Sequence, residues 1–195
     1  MTGLQWRPYG PSAVLFEFDD PDERWSLRCE PADELVVGAR TVLVRFDPRR
    51  TRVDDIVSAA DLDDTAVAAP RTHHIPVVYD GPDLAPVADA CGLSVSEVVA
   101  RHTGTLFRAE FCGFAAGFAY LSGIDPALHM PRRTSPRPEV PAGAVAIAGP
   151  YSAVYPTPSP GGWQLLGATD FPLFDPTADP PALIVPGDLV RFEAH

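Results

Sequence analysis

The chain has 195 residues, 46% apolar and 21% charged, which is enough to bury one core or two small ones. Its formal net charge of −11 argues against nucleic acid, whose phosphates such a field repels. The opening MTGLQWRPYG has no basic region followed by an apolar run, and no stretch of about 18 uninterrupted apolar residues occurs, so no membrane span is expected and the expected location is the cytoplasm.

Ala13 to Phe18 (AVLFEF) is rich in strand formers. Thr41 to Phe46 alternates Val42, Val44 and Phe46 against Thr41, Leu43 and Arg45, so both segments are predicted strands. The acidic start and two prolines of Asp19 to Ala39 leave room for a short helix around Trp25 and a strand at Leu35 to Val37. Thr51 is placed to cap a helix through Ile56 and Val57 to about Ala60, and a polar stretch then leads to a strand at Ile75 to Tyr79. Proline and polar residues at Ala69 to Thr72 mark a boundary, giving expected domains 1–72 and 73–195.

Beyond the boundary Leu84, Val87, Ala88 and Cys91 form one apolar helical stripe that Gly92 ends. Ser94 and Glu97 make a capping box for a second helix carrying Val95, Val98, Val99 and His102. From Thr105 onward, short apolar runs separated by glycine and proline suit strands of a small barrel or sandwich, since a parallel sheet would require intervening helices. Pro186-Gly187-Asp188 is read as a turn closing a terminal hairpin between Leu183 to Val185 and Leu189 to Phe192. The fold class expected is therefore α+β, a small α+β domain followed by a mainly β domain. The 23 prolines favour short elements joined by fixed turns.

Three cysteines, Cys29, Cys91 and Cys112, show no paired or metal-ligand spacing, so neither a disulfide framework nor a metal site is expected. His73 and His74 precede a strand and would point to opposite faces, which disfavours shared metal ligation. Neither G-x-x-x-x-G-K-[ST] nor a strand-bound G-x-G-x-x-G occurs, so a nucleotide used by this protein is expected to be bound elsewhere. Cys112 beside Gly113 is a candidate nucleophile only if its thiol is activated; otherwise it is a core thiol.

Three stretches can carry binding chemistry. In GFAAGFAY (Gly113 to Tyr120) glycines interleave with Phe114, Phe118 and Tyr120, which gives either a self-packed loop or a backbone that approaches another surface closely. Arg132, Arg133 and Arg137 lie among prolines in an acidic protein, either in ordinary surface ion pairs or held for bidentate capture of a carboxylate. Ser159-Pro160-Gly161-Gly162-Trp163-Gln164 sets a rigid turn before an indole and an amide, a core tryptophan or a pocket wall.

Read in order, Gly113-Phe114, Gly117-Phe118, Tyr120-Leu121, Pro131-Arg132, Pro136-Arg137, Val140-Pro141-Ala142-Gly143, Ile147-Ala148-Gly149, Tyr155-Pro156 and Ser159 to Gln164 resemble the family of KipI and the B-type subunits of 5-oxoprolinase. This family is also described as allophanate hydrolase subunit 1 or a carboxyltransferase subdomain. Ile75-Pro76-Val77, Tyr79, Asp83-Leu84 and His102 upstream, and Pro186-Gly187-Asp188 with Val190-Arg191-Phe192 downstream, extend the resemblance, and VLVRFDP (Val42 to Pro48) carries it more loosely into the first domain. The resemblance implies a cyclophilin-like β-barrel as the second domain. It implies one component of an ATP-dependent 5-oxoprolinase, inactive alone, that converts 5-oxo-L-proline to L-glutamate with a homologous larger C-type subunit and a third, A-type one. No cofactor is expected on this chain alone; ATP would be used by the assembled complex. The same frame also serves a KipI-like inhibitor of a sensor histidine kinase and urea- or allophanate-related enzymes.

Phe118, Tyr120, Arg132, Arg137, Tyr155, Trp163 and Gln164 are the residues expected to line a substrate or inter-subunit surface, with His102 as a candidate for proton transfer. Ala116 and Ala119 stand where the family usually has prolines, Ala168 where it has an arginine and Pro11 where it has an acidic residue. The first domain looks shortened between Phe18 and Leu35.

Overall fold

Strands with one buried face build the first of two units into which the chain divides, Met1–Ala69 and Pro70–His195, in a computed structural model that describes residues 4–63 and 69–195. The first unit runs β1 (Gln5–Pro8), β2 (Ala13–Glu17), a 3-10 helix (Pro21–Ser26), β3 (Leu27–Arg28), β4 (Glu34–Val37), β5 (Thr41–Arg45), α1 (Val53–Ala59) and β6 (Asp61–Leu62). Its main sheet is antiparallel in the order β1-β2-β5-β4. Val14 and Phe16 on β2 pair with Val44 and Val42 on β5, so one face of the sheet is apolar throughout; it packs with Phe18, Leu27, Phe46 and Ile56. The helix around Trp25 is a single 3-10 segment opened by Pro21, with the Asp20 carboxylate accepting from the Asp22 N–H at 2.9 Å. Thr51 does not cap α1. Arg52 holds that position, and its N–H donates to the Asp55 carboxylate at 3.1 Å, because the acid three residues on reaches back to the helix start.

The second unit contains β7 (Thr72–Val77), α2 (Leu84–Cys91), α3 (Val95–Gly104), β8 (Phe107–Cys112), β9 (Ala119–Ser122), β10 (Arg137–Val140), β11 (Ala144–Ala148), β12 (Tyr151–Val154), β13 (Ser159–Gly161), β14 (Gln164–Ala168) and β15 (Leu189–Ala194). Gly92, at φ 67°, ends α2, and the Ser94–Glu97 capping box opens α3, as their sequences dictate. Seven strands form one mixed sheet in the order β14-β11-β12-β9-β8-β15-β7, in which only β15 and β7 run parallel. The sheet curls almost into a barrel because the chain leaving β7 meets the opposite edge. Val78 and Ala168 exchange two backbone hydrogen bonds of 2.9 Å, and Gly81 N–H donates to Leu166 O at 3.0 Å. The backbones approach so closely at this seam that a Cβ on Gly167 would lie 2.3 Å from Val78 O, and one on Gly81 would lie 2.4 Å from Leu165 O.

The terminal hairpin is absent. Pro186-Gly187-Asp188 does turn, with Asp188 N–H donating to Val185 O at 3.1 Å, but β15 pairs with β7 and β8 instead of with Leu183 to Val185. The Asp188 carboxylate explains the difference. It accepts from Arg71 N–H, Arg71 Nη2, Val185 N–H and His73 Nε2 at 2.9–3.2 Å, which fastens the start of β15 to the start of β7. Burial would raise the Asp188 pKa, but these partners outweigh it and hold the carboxyl below its usual range.

His102 belongs to the core of this unit. It is fully buried, stacks on Phe192 with ring centroids 4.6 Å apart, and is hydrogen-bonded at both nitrogens. The Ser152 hydroxyl donates to Ala146 O at 3.2 Å, so its oxygen accepts from His102 Nε2–H at 2.9 Å, and Tyr79 O–H donates to His102 Nδ1 at 2.7 Å. Burial depresses the His102 pKa to about 3. Among the described residues no helix is long and apolar enough to cross a membrane.

Two outcomes follow from this geometry. Gly167→Ala is expected to lower unfolding free energy in urea by about 1–3 kcal/mol through overpacking of the seam, whereas Gly104→Ala, where a Cβ meets nothing within 4 Å, leaves it unchanged or slightly raised. Unfolded His102 binds a proton below its ordinary pKa of about 6.5, while the folded ring does not until about 3. Its contribution to stability is therefore complete above pH 6.5 and declines as pH falls, by up to about 1.4 kcal/mol per pH unit. Urea titrations between pH 7 and 5 are expected to show this slope in the wild type and to lack it in His102→Gln.

Candidate ligand pocket

Three loops build a pocket on the second unit, and each owes its shape to glycine or proline. The first, 113–118, joins β8 to β9 and is closed by hydrogen bonds from Gly113 N–H to Phe118 O (3.1 Å) and from Phe118 N–H to Ala115 O (3.0 Å). Gly117 has φ 81°, and a Cβ there would stand 2.9 Å from the Phe174 Cβ. Phe114 also has a positive φ, 73°, though it is not glycine and its side chain is 62% exposed. Such a conformation costs a bulky residue about 1–3 kcal/mol.

The second loop is the arginine stretch Pro131 to Arg137, and the carboxylate it captures is the protein's own. Arg133 Nη1 and Arg137 Nη2 both donate to Asp83 Oδ1, at 3.0 and 2.8 Å, while Asp83 Oδ2 accepts from Leu165 N–H at 2.7 Å. Asp83 sits at the N-cap position of α2 but makes no capping hydrogen bond, because both of its oxygens are committed to the arginine loop and β14. The Arg137 guanidinium, about a fifth exposed, is thus paired with an internal carboxylate and does not line the cavity. Arg132 differs. It has no carboxylate partner among the described residues and lies 5.9 Å from the Trp163 ring centroid.

The third loop, β13 with Gly162 and Trp163, is fastened to the second by Arg133 N–H to Gly162 O (2.7 Å), Gln164 Nε2 to Pro131 O (3.0 Å) and the pairing of Arg137 with Gly161. Gly161 is needed for close packing, since a Cβ there would meet the Tyr155 hydroxyl.

Between the loops lies a cavity of about 240 Å³ lined by Phe114, Phe118, Tyr120, Tyr155 and Trp163, with Arg132 at its edge. Phe118 is the hub: its ring meets those of Phe114, Tyr120, Tyr155 and Trp163 edge-on at 5.1–5.6 Å. Burial raises the Tyr155 pKa, only partly offset by the Trp163 backbone N–H and by Arg132 and Arg137, so its hydroxyl remains a donor at neutral pH. The pocket is therefore aromatic-walled and locally cationic. Arg133 and Arg137 share a single carboxylate, Asp83, and the adjacent Arg132 has none among the described residues, within a chain of net charge −11.

The structure thus brings Phe118, Tyr120, Arg132, Tyr155 and Trp163 to one cavity, sets Arg137 and Gln164 behind it as supports, and leaves His102 in the hydrophobic core, where it does not line the cavity. Asp83 and Phe114 complete the site, and sequence reasoning does not place them among its residues. A helix-start aspartate reads as a cap, and a positive φ at phenylalanine has no sequence signature. Cys112 is no activated nucleophile: burial and the nearby Asp188 charge push its thiol up to about 11. His73 and His74 bond separate carboxylates, Asp188 and Glu193. Along the barrel seam a wider depression of about 620 Å³ is lined by Val78, Phe171 and Pro172 with Asp80 and Asp170.

Comparison with known proteins agrees with this architecture. The family described as carboxyltransferase domain, subdomain C and D, matches residues 4–184. The B subunit of 5-oxoprolinase from Escherichia coli O157:H7 is 54% identical over 125 residues, covering 63% of this chain and 57% of that protein, so the match spans little more than half of that relative. Its counterpart of the same description from Haemophilus influenzae is 38% identical over 168 residues, covering 82% of this chain and 78% of that one. The crystal structure of TTHA0988 superposes with a TM-score of 0.81 at 36% identity over 98% of this chain, which corresponds to 40% of that longer polypeptide. Urea carboxylase of Kluyveromyces lactis shares the fold, with a TM-score of 0.69 at 18% identity over 98% of this chain and 22% of that one. The chain belongs to the carboxyltransferase subdomain C and D family, in which its relatives include B subunits of 5-oxoprolinase.

Proposed function

We propose that this chain is the B-type subunit of an ATP-dependent 5-oxoprolinase and that its aromatic pocket takes 5-oxo-L-proline. The observation that supports this most is Arg132, a guanidinium without a carboxylate partner among the described residues, beside an aromatic cavity of about 240 Å³. That volume lies below the roughly 300–1,000 Å³ typical of drug-sized ligands and suits a compact metabolite. A five-membered lactam carboxylate offers an apolar ring edge for Phe118 and Trp163, a carboxylate for Arg132 and a carbonyl oxygen for the Tyr155 or Tyr120 hydroxyl.

The residues present do not suit ATP. The aromatic cavity is too small for a nucleoside triphosphate, and the wider depression presents Asp80 and Asp170, whose charge opposes a polyphosphate. Nucleotide chemistry is therefore assigned to partner polypeptides, a larger homologous one of C type and a third of A type. This chain's share is to hold the lactam by its carboxylate, keep water from the apolar face of the ring, and present the carbonyl toward the partner.

The deciding assay is glutamate formation from 5-oxo-L-proline and ATP by the co-expressed polypeptides, with this chain included or omitted. Activity is expected only when the chain is present. Arg132→Ala is expected to raise KM at least tenfold in the assembled complex, with assembly and melting temperature unchanged. Full activity in its absence, or an assembled but inactive complex, would sink the proposal and favour a regulatory or urea-related role.

A further inference from the structure

We propose that Phe114 is a specificity-determining residue of the pocket, a strained aromatic rim that admits small ring-shaped monocarboxylates and rejects open-chain dicarboxylates; the proposal rests on the reading of the pocket as a carboxylate site. Phe114 is the one non-glycine residue with a positive φ among the described residues, at 73°. The loop has glycine on either side of it, at 113 and 117, and Gly117 adopts a similar φ of 81° without penalty. A phenylalanine held in this conformation needs compensation, and burial does not supply it, since the side chain is 62% exposed. Its ring contacts among the described residues are with the cavity wall. The ring stands edge-on to Phe118 at 5.2 Å and to Tyr155 at 6.2 Å, two of the rings that wall the cavity. The strain thus places an apolar ring on the rim of the pocket, on the same cavity as Trp163 and Arg132.

A ligand that puts one carboxylate on Arg132 leaves its remainder among Phe114, Phe118 and Trp163. A compact ring is desolvated there at little cost. The second carboxylate and the ammonium of glutamate would lose their water without a charged partner, because the side chains of the lining supply only hydroxyls, an indole and the one guanidinium that the first carboxylate occupies. Discrimination between a lactam and its opened product therefore resides in the apolar rim, and Phe114 is its most exposed member.

The test is calorimetric titration of the 195-residue chain, wild type and Phe114→Gly, with 5-oxo-L-proline, pyrrole-2-carboxylate and L-glutamate, together with the melting temperature of each protein. Wild type is expected to bind the ring carboxylates at least tenfold more tightly than glutamate. Phe114→Gly is expected to melt at the same or a higher temperature, because the strain is relieved, and to bind ring carboxylates at least tenfold more weakly. Phe114→Leu, which keeps an apolar side chain but not the ring, is expected to lose at least threefold, separating loss of the ring from loosening of the loop. Unchanged ring affinity in both variants, or a Phe114→Gly protein that melts well below wild type, overturns the inference while the pocket assignment stands. Wild-type binding of pyrrole-2-carboxylate but not 5-oxo-L-proline, weakened tenfold by Phe114→Gly, sinks the substrate assignment and keeps the inference. Wild-type binding of neither ring carboxylate overturns both.

Discussion

A single buried carboxylate organises the candidate site. Asp83 lies at the start of α2, yet its oxygens reach the arginine loop through Arg133 and Arg137 and the strand β14 through Leu165 N–H. Three chain segments distant in sequence converge on one charge. A charge buried this deeply is tolerated only with full compensation, and loss of one side of such a buried pair costs about 3–5 kcal/mol. The aspartate therefore does more than start a helix: it fixes where the arginine loop must lie, and so where one wall of the pocket stands.

The geometry of the pocket follows. With Arg133 and Arg137 drawn to Asp83, the loop between them is held against β13 and β14, and the adjacent Arg132 is left facing the aromatic cavity. Arg137 donates to Asp83 through Nη2 and pairs with Gly161 through its strand, which fixes its place in the loop, while its Nη1 is left without a hydrogen-bond partner. Two guanidiniums on one carboxylate leave a local positive surplus that the overall charge of −11 conceals. A small anion approaching this pocket thus meets a cationic edge at Arg132 in a protein that is acidic as a whole.

Much of the fold was legible because it depends on local pattern. Val42 and Val44 alternate with the less buried Thr41, Leu43 and Arg45; Ser94 and Glu97 form the capping box their spacing dictates; Gly92 ends its helix in the left-handed region. The aromatic and arginine residues of the pocket were legible as a set because glycine and proline frame them. Long-range pairings were not legible. Pro186-Gly187-Asp188 signals a turn, but nothing local says that Asp188 will bond Arg71 and His73 more than a hundred positions away and thereby send β15 to β7 instead of into a hairpin. The same holds for Arg137. Its residue type announces carboxylate capture, and only tertiary structure shows that the carboxylate is internal. His102 was ambiguous because a histidine on an apolar helix face reads alike as proton carrier and as core residue; complete hydrogen bonding and burial make it the second.

The contrast between His102 and Phe114 shows how this domain separates stability from binding. His102 lies in the barrel core with both ring nitrogens hydrogen-bonded, and burial suppresses its titration, so it serves packing. Phe114 is the reverse: its backbone is strained, its ring is largely exposed, and its ring partners among the described residues line the cavity. Strain persists where the surrounding structure over-determines it, and here the restraint comes from Gly113 and Phe118 closing the loop and from Gly117 packed against Phe174.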